Sequence, residues 1–333
     1  MRPFPRLGWV LGLVILVATA CRPGQPELAA AVPPPAGLAR ATLFVEPDDG
    51  VQPVVQFIDS AQQSLDVAMY LLSDRDILAA LERGHHRGVR IRVMLEEHPY
   101  GTGPGNHDAV RRLSAAGIAT RWSPPAIRLS HDKYAIADRR RALVGTANWT
   151  YSAFTRNREY LLLLTDPAEV AALAALFDAD WERRPAQVAD PDLVVSPLNS
   201  RLVLLGLVAS ARQSLELEME EMEDPQIEQA LISAAKRGVR VRVILPAAAG
   251  GEDPNRPGEE VLGAGGIEVR RLGATYVHAK DIVVDDRVAF VGSENISSPS
   301  LDTNREVGVI VADPAVVQRL EDTFTRDWQA SQP

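Results

Sequence analysis

His131, Lys133 and Asp138 spell His-x-Lys-x4-Asp, and His278, Lys280 and Asp285 spell it again. Each copy is followed at the same distance by a Gly-x-x-Asn element, Gly145 with Asn148 and Gly292 with Asn295, and then by a glutamate, Glu159 and Glu306. Two imidazoles, two ammoniums and two amides brought to one place form a cationic pocket suited to a phosphate. The same pocket holds a nucleophile and an acid. On a strand, His131 and Lys133 share one face while Asp132, Tyr134 and Ile136 take the other. His278 and Lys280 do likewise, so each copy presents one imidazole beside one ammonium.

The copies belong to a longer duplication. Ser64-Leu65 returns as Ser214-Leu215, and Arg87-Gly88-Val89-Arg90 as Arg237-Gly238-Val239-Arg240, both 150 positions on. Further along the offset is 147: His131 to His278, Asp166-Pro167 to Asp313-Pro314, Trp181 to Trp328. A single three-residue length change between Arg90 and His131 accounts for both values. The period is far above that of solenoid repeats. It predicts two like halves about a pseudo-two-fold axis, residues 41–185 and 192–330, with one site completed at their junction. Dimerisation is then unnecessary, and a monomer is expected.

Each half alternates strand and helix, which argues for α/β layers. Leu65 to Met69 reads as a strand, and Ser73 with Asp76 as a capping box opening a helix that runs to about Arg87. Arg90 to Leu95 is the next strand, Gly101 to Asn106 a loop, and Asp108 to Ala116 a helix. Asp166-Pro167 supplies an N-cap and N1 proline to a helix ending near Trp181. The second half repeats the pattern with Pro225 to Lys236, Val239 to Leu245, a Gly/Pro loop from Pro246 to Gly258, and Pro314 to Trp328.

The 333 residues are 46% hydrophobic and 24% charged, enough for a sizeable core. Lys and Arg number 35 against 44 Asp and Glu, a formal charge of −9. That surface is not built to gather nucleic acid non-specifically. Arg2 and Arg6 precede an apolar stretch, Leu7 to Ala20, which reads as a signal peptide over residues 1–20. Cys21 is the only cysteine, so no intramolecular disulfide can form. Ala18-Thr19-Ala20-Cys21 resembles a bacterial lipobox, with Ala18 where Leu is usual; Ala-x-Ala also suits ordinary signal-peptidase cleavage. An exported, membrane-anchored lipoprotein is expected, or a secreted protein if Cys21 is not lipidated. Residues 21–40, rich in Pro and Ala, read as a tether.

Paired His-x-Lys-x4-Asp motifs, each followed by Gly-Ser/Thr-x-Asn, resemble the phospholipase D superfamily from about Ala41 to Trp328. The two motif copies match at every defining position, with Thr146 where Ser293 stands in the other half. The resemblance implies two mixed sheets flanked by helices, and phosphodiester cleavage through a covalent phosphohistidine. One imidazole must be neutral to attack phosphorus and the other protonated to serve the leaving oxygen. By family analogy His131 is the nucleophile and His278 the acid. Lys133, Lys280, Asn148 and Asn295 would hold the non-bridging oxygens, so neither a metal nor another cofactor is required. Glu159 and Glu306 would orient the imidazoles, and Asp138 and Asp285 would act structurally behind them. A phospholipid phosphodiesterase is expected first, hydrolysing or transferring the phosphatidyl group. A secreted endonuclease using the same site, or an inactive phosphate-binding module, are the alternatives.

Weaker signals remain. Alternation puts Glu216, Glu218 and Glu220 on one strand face, either pairing with the catalytic lysines and nearby arginines or selecting a cationic head group. His85, His86, His98 and His107 lack counterparts in the second half, and surface or loop roles are expected. The Gly101 to Gly105 loop is expected to rim the cleft. Arg139-Arg140-Arg141 reads as a solvated turn.

Overall fold

The computed structural model describes residues 36–332, apart from 101, 102, 104, 249, 251 and 252. The expected signal peptide, Cys21 and most of the expected tether lie outside the described residues. The first repeat runs β1 (Ala41–Glu46), α1 (Gln52–Asp59), β2 (Ser64–Met69), α2 (Arg75–His86), β3 (Arg90–Leu95), α3 (His107–Ala115), β4 (Ala119–Trp122), β5 (Lys133–Ala137), β6 (Arg141–Gly145), α4 (Tyr151–Thr155), β7 (Asn157–Leu164) and α5 (Pro167–Trp181). The second runs β8 (Leu193–Ser196), α6 (Ser200–Ser210), β9 (Ser214–Met219), α7 (Pro225–Lys236), β10 (Arg240–Pro246), α8 (Arg256–Ala264), β11 (Glu268–Leu272), β12 (Tyr276–Val277), β13 (Lys280–Val284), β14 (Val288–Gly292), α9 (Ser298–Asp302), β15 (Glu306–Val311) and α10 (Pro314–Ala330).

The two sheets have one topology. The first orders its strands β1-β7-β6-β5-β2-β3-β4, and the second β8-β15-β14-β13-β9-β10-β11. In each, the β2–β3–β4 or β9–β10–β11 side is parallel and the remainder antiparallel. Both faces of each sheet are covered, which is why strands such as β2 are buried at every position. Leu65, Val67 and Met69 pack outward with Ile77 and Leu81 of α2, and the second repeat has a matching outer core around Leu217 and Leu231. Between the sheets, Tyr134, Ile136, Val144 and Leu162 share one core with Val283, Val291, Val307 and Val309, joined by Phe177 of α5 and Phe324 of α10. Burial of these apolar faces docks the repeats.

Two buried ion pairs cross the same junction. Arg158 of the first repeat bonds Asp327 of α10 at 2.5 and 3.0 Å, and Arg305 of the second bonds Asp180 of α5 at 2.9 and 3.1 Å. Each arginine also donates to a carbonyl beside its own repeat's first strand, Glu46 O at 2.6 Å and Ser196 O at 2.9 Å. Their positions, 147 apart, carry the duplication into the interface.

Two expectations need correction. The cap of α2 is Asp74, not Ser73: its carboxylate accepts from Asp76 N at 2.9 Å and Ile77 N at 3.1 Å. A carboxylate one residue nearer the helix satisfies two orphan N–H groups that the Ser73 hydroxyl does not reach. Asp224 does the same for α7, while Asp166 and Asp313 cap α5 and α10. The length difference between the halves is also not a single event. Asn106 and Asn255 play one part, accepting Leu72 N at 2.9 Å and Met222 N at 2.7 Å, yet stand 149 apart. One residue is therefore lost before α8, and two more between β11 and His278.

Candidate active site

The strands carrying the motifs begin at Lys133 and Lys280, so each histidine lies just upstream of its strand rather than within it. What holds it there is the other repeat. His131 N donates to Arg305 O at 2.8 Å, and His278 N donates to Arg158 O at 3.2 Å. Tyr276 and Val277 extend this link as a short parallel pairing with Asn157 and Arg158 of β7.

The side chains cross the junction too. His131 Nδ1 lies 2.8 Å from Glu306 Oε2, and His278 Nδ1 lies 2.8 Å from Glu159 Oε2. Both glutamates are fully buried. Glu306 is anchored by Ser300 Oγ at 2.8 Å and Asn304 Nδ2 at 3.3 Å, Glu159 by Thr146 Oγ1 at 2.6 Å and Asn157 Nδ2 at 3.2 Å. Burial works against the Glu306 charge, but His131 and Lys133 outweigh it and hold the carboxyl below its usual range. With Nδ1 committed, each ring is left its Nε2 for chemistry. Burial pushes the His131 imidazole down; Glu306 opposes and Lys133 adds to the fall.

Lys133 and Lys280 are buried beneath the histidines, and each ammonium donates to its own motif's histidine carbonyl, Lys280 to His278 O at 2.6 Å. Burial brings Lys133 down to about 8, with Glu306 opposing and Lys280 adding to the depression. The side-chain oxygens of Asn148 and Asn295 are buried at the cleft without a hydrogen-bond partner among the described residues. The glycine of the Gly-x-x-Asn element is explained by packing. A Cβ on Gly145 would lie 2.1 Å from Tyr160 O, and one on Gly292 would lie 2.5 Å from Gly308 Cα, so β6 and β14 could not approach their neighbours.

Asp138 and Asp285 do not reach the histidines. Both occupy left-handed turns, with φ of 56° and 53°. Asp138 accepts from the N–H groups of Gln62, Gln63 and Ser64, and Asp285 from those of Arg212, Gln213 and Ser214. They tie the turn after the motif strand to the start of β2 or β9.

His131, His278, Asn148 and Asn295 line one cleft of about 470 Å³. Tyr70, Leu71, Tyr100, Leu129 and Pro299 form its apolar wall, and one arginine, Arg128, and three glutamates, Glu220, Glu221 and Glu223, also line it. The two halves of the cleft differ beside the lysines. Tyr70, 4.5 Å centroid to centroid from the His131 ring, also lies under Lys133 Nζ at 5.0 Å. Its counterpart 150 residues on is Glu220, which bonds Lys280 Nζ at 2.7 Å and lies 3.4 Å from His278 Nε2. The acidic strand face is thus accounted for by pairing rather than solvation. Glu216 bonds Arg242, Glu218 accepts the Tyr160 hydroxyl at 2.7 Å, and Glu220 reaches the site.

The remaining histidines are elsewhere: His107 packs on Trp122, and none of His85, His86, His98 or His107 lines the cleft. Arg139 pairs with Asp178 at 2.9 Å instead of being fully solvated. Tyr100 reaches the cleft rim, while much of the glycine-rich loop beyond it lies outside the described residues. Sequence reasoning missed Asn157, Asn304, Arg158, Arg305, Asp180 and Asp327. Repetition of Asn-Arg-Glu at 157–159 and 304–306, and of Asp-Trp at 180–181 and 327–328, was the available signal.

A family model described as cardiolipin synthase, PLD-like domain, matches residues 54–181 and again residues 204–328. The mitochondrial cardiolipin hydrolase of Chlamydomonas reinhardtii is 33% identical over 128 residues, covering 38% of this chain and 56% of that protein. The chain thus spans little more than half the length of that relative. The mitochondrial cardiolipin hydrolase of Mus musculus is 31% identical over 195 residues, 58% of this chain and 85% of that one. Phosphatidylserine synthase from Haemophilus influenzae shares the fold, with a TM-score of 0.71 at 13% identity over 91% of this chain and 89% of the other.

Proposed function

The chain belongs to the phospholipase D-like family, and on that premise we propose that it is a phosphodiesterase of phospholipase D type, acting on phospholipids through a phosphohistidine. The observation carrying this reading is the pair of imidazoles in one cleft, each with Nδ1 on a buried glutamate of the opposite repeat. Glu306 accepts the Nδ1 proton of a neutral His131, which puts the lone pair on Nε2. That nitrogen attacks phosphorus. The bond to the head-group oxygen breaks, and His278 Nε2 gives that oxygen a proton. His278 is suited to the part because a carboxylate faces each of its ring nitrogens, Glu159 and Glu220, which two N–H groups satisfy. Water then attacks phosphorus, His278 takes its proton, and the P–N bond breaks; an alcohol in place of water gives transfer.

Lys133, with Asn148 and Asn295, would neutralise the non-bridging oxygens through the transition state. With the Lys133 ammonium in that role the chemistry does not call for a metal. The apolar wall and a lining of three glutamates to one arginine favour a lipid over a polynucleotide, whose backbone needs a cationic track.

The test is product identification. The protein is incubated with mixed phospholipid vesicles containing cardiolipin, and separately with plasmid, both with chelator. Head-group release or cardiolipin loss, abolished in His131→Ala and in His278→Ala, is the expected result. Nicking of plasmid without lipid turnover would replace this reading with the nuclease one.

A further inference from the structure

Resting on the phosphoryl-site reading, we propose that Glu220 confines the cleft to singly charged phosphodiesters and turns away doubly charged phosphomonoesters. A carboxylate is already seated on the groups that would hold a phosphate oxygen. Glu220 Oε2 lies 2.7 Å from Lys280 Nζ, 3.4 Å from Asn295 Nδ2 and 3.4 Å from His278 Nε2. Its other oxygen accepts the Tyr276 hydroxyl at 3.2 Å. Burial works against this charge, yet His278 and Lys280 hold the carboxyl ionised, far below its usual range.

The duplicated fold does not require an acid here, because position 70 carries a neutral ring in the same place. The two ammoniums are therefore unequal. Lys280 gives one hydrogen to His278 O and another to Glu220. Lys133 gives one to His131 O and has no carboxylate partner among the described residues. A diester brings one negative charge, and Lys133 matches it. A monoester brings nearly two at neutral pH, and the second would fall within a few ångströms of Glu220. Like charges at about 5 Å, at an effective permittivity of about 25 to 50, repel enough to weaken binding by about ten- to a hundredfold. Hydrolysis of a diester leaves a monoester, so the same repulsion helps to expel product.

Inorganic phosphate and dimethyl phosphate are titrated by calorimetry into the full chain at about pH 8, where the first is close to doubly charged. Glu220→Gln removes the charge and keeps the shape. Glu220→Tyr copies the counterpart position. Glu260→Gln, at an exposed acid of α8 outside the cleft, is the control. Phosphate affinity should rise about ten- to a hundredfold in both Glu220 variants, dimethyl phosphate should gain far less, and Glu260→Gln should match the parent. Equal gains for both ligands, or none for phosphate, would overturn the role of Glu220 and leave the phosphoryl site standing. Binding of neither ligand to any variant would overturn the site itself, and this inference with it.

Discussion

His131 and Glu306 belong to opposite repeats, yet Nδ1 of one lies 2.8 Å from Oε2 of the other. The exchange is reciprocal, since His278 takes Glu159. Neither repeat can orient its own imidazole. The site therefore exists only when the sheets are docked, and the apolar core between them, with the Arg158–Asp327 and Arg305–Asp180 pairs, is a condition of the proposed catalysis as well as of stability.

Replacing Glu306 by Gln removes the charge that fixes the His131 tautomer while leaving a side chain for Ser300 and Asn304 to bond. The rate of phosphoenzyme formation, read by rapid acid quench with labelled lipid, should fall about 10²- to 10⁴-fold with the circular dichroism unchanged. A near-parental rate would show that the cross-repeat pair is only structural.

Lys133 sets an alkaline limit. Its ammonium is the form that can offset phosphate charge, and burial lowers it to about 8. The protonated form is lost as pH rises, so kcat/KM should fall above about pH 8, well before a lysine in water would titrate. Lys133→Arg keeps its charge through that range. Its ceiling should be lower, because the guanidinium cannot copy the ammonium's bond to His131 O, but the limb at about pH 8 should vanish from its profile. Persistence of the limb would assign it to another group.

Much of the architecture was legible because duplication writes both motifs and their glutamates twice. The strands Arg90–Leu95 and the helix Pro225–Lys236 fall where periodicity and capping residues put them. The exchange of glutamates was not legible, since a repeat at offset 147 records that Glu159 and Glu306 are equivalent, not which imidazole each will meet. Glu220 was legible through the alternation that puts it on one strand face as a partner for a catalytic lysine; its correspondence with Tyr70 was hidden, for the opposite reason. Their types differ, so repetition does not flag them, and only the strand ends that carry them beside the two lysines do. The capping aspartates Asp74 and Asp224, by contrast, are matched at offset 150, and a neighbouring serine drew the cap one residue early.

Asp138, although part of the motif, should matter to stability and not to the chemical step. Its carboxylate gathers three backbone N–H groups in a left-handed turn that alanine tolerates poorly. Asp138→Ala should cost on the order of 2 kcal/mol in urea unfolding, and the folded variant should keep its turnover per active site. Partial burial raises this carboxyl, but the Ser64, Gln63 and Gln62 N–H groups outweigh it and bring it below the ordinary value. Depression on folding means the contribution is present above the unfolded value near ~4 and disappears as pH falls through the lower folded one. Parent and Asp138→Ala should therefore converge in stability in strong acid. A gap that stayed constant into acid would place the effect in the turn geometry alone.

Acylation of Cys21 would decide where the protein meets a phospholipid. An acylated thiol at that position would hold the body at a bilayer through the Pro/Ala tether, each buried methylene adding about 0.8 kcal/mol. Cys21→Ser would leave the cleft unaltered and remove the anchor. Expressed with its leader in a bacterium, the parent should sediment with membranes and take up labelled palmitate, and Cys21→Ser should appear in the soluble exported fraction. Turnover of short-chain, micelle-free phosphodiester should be equal in the two, while turnover on vesicles should drop for the serine variant, because only the anchored enzyme is concentrated at the surface. Equal partitioning of both proteins would make ordinary signal-peptidase cleavage the better reading of Ala18-Thr19-Ala20.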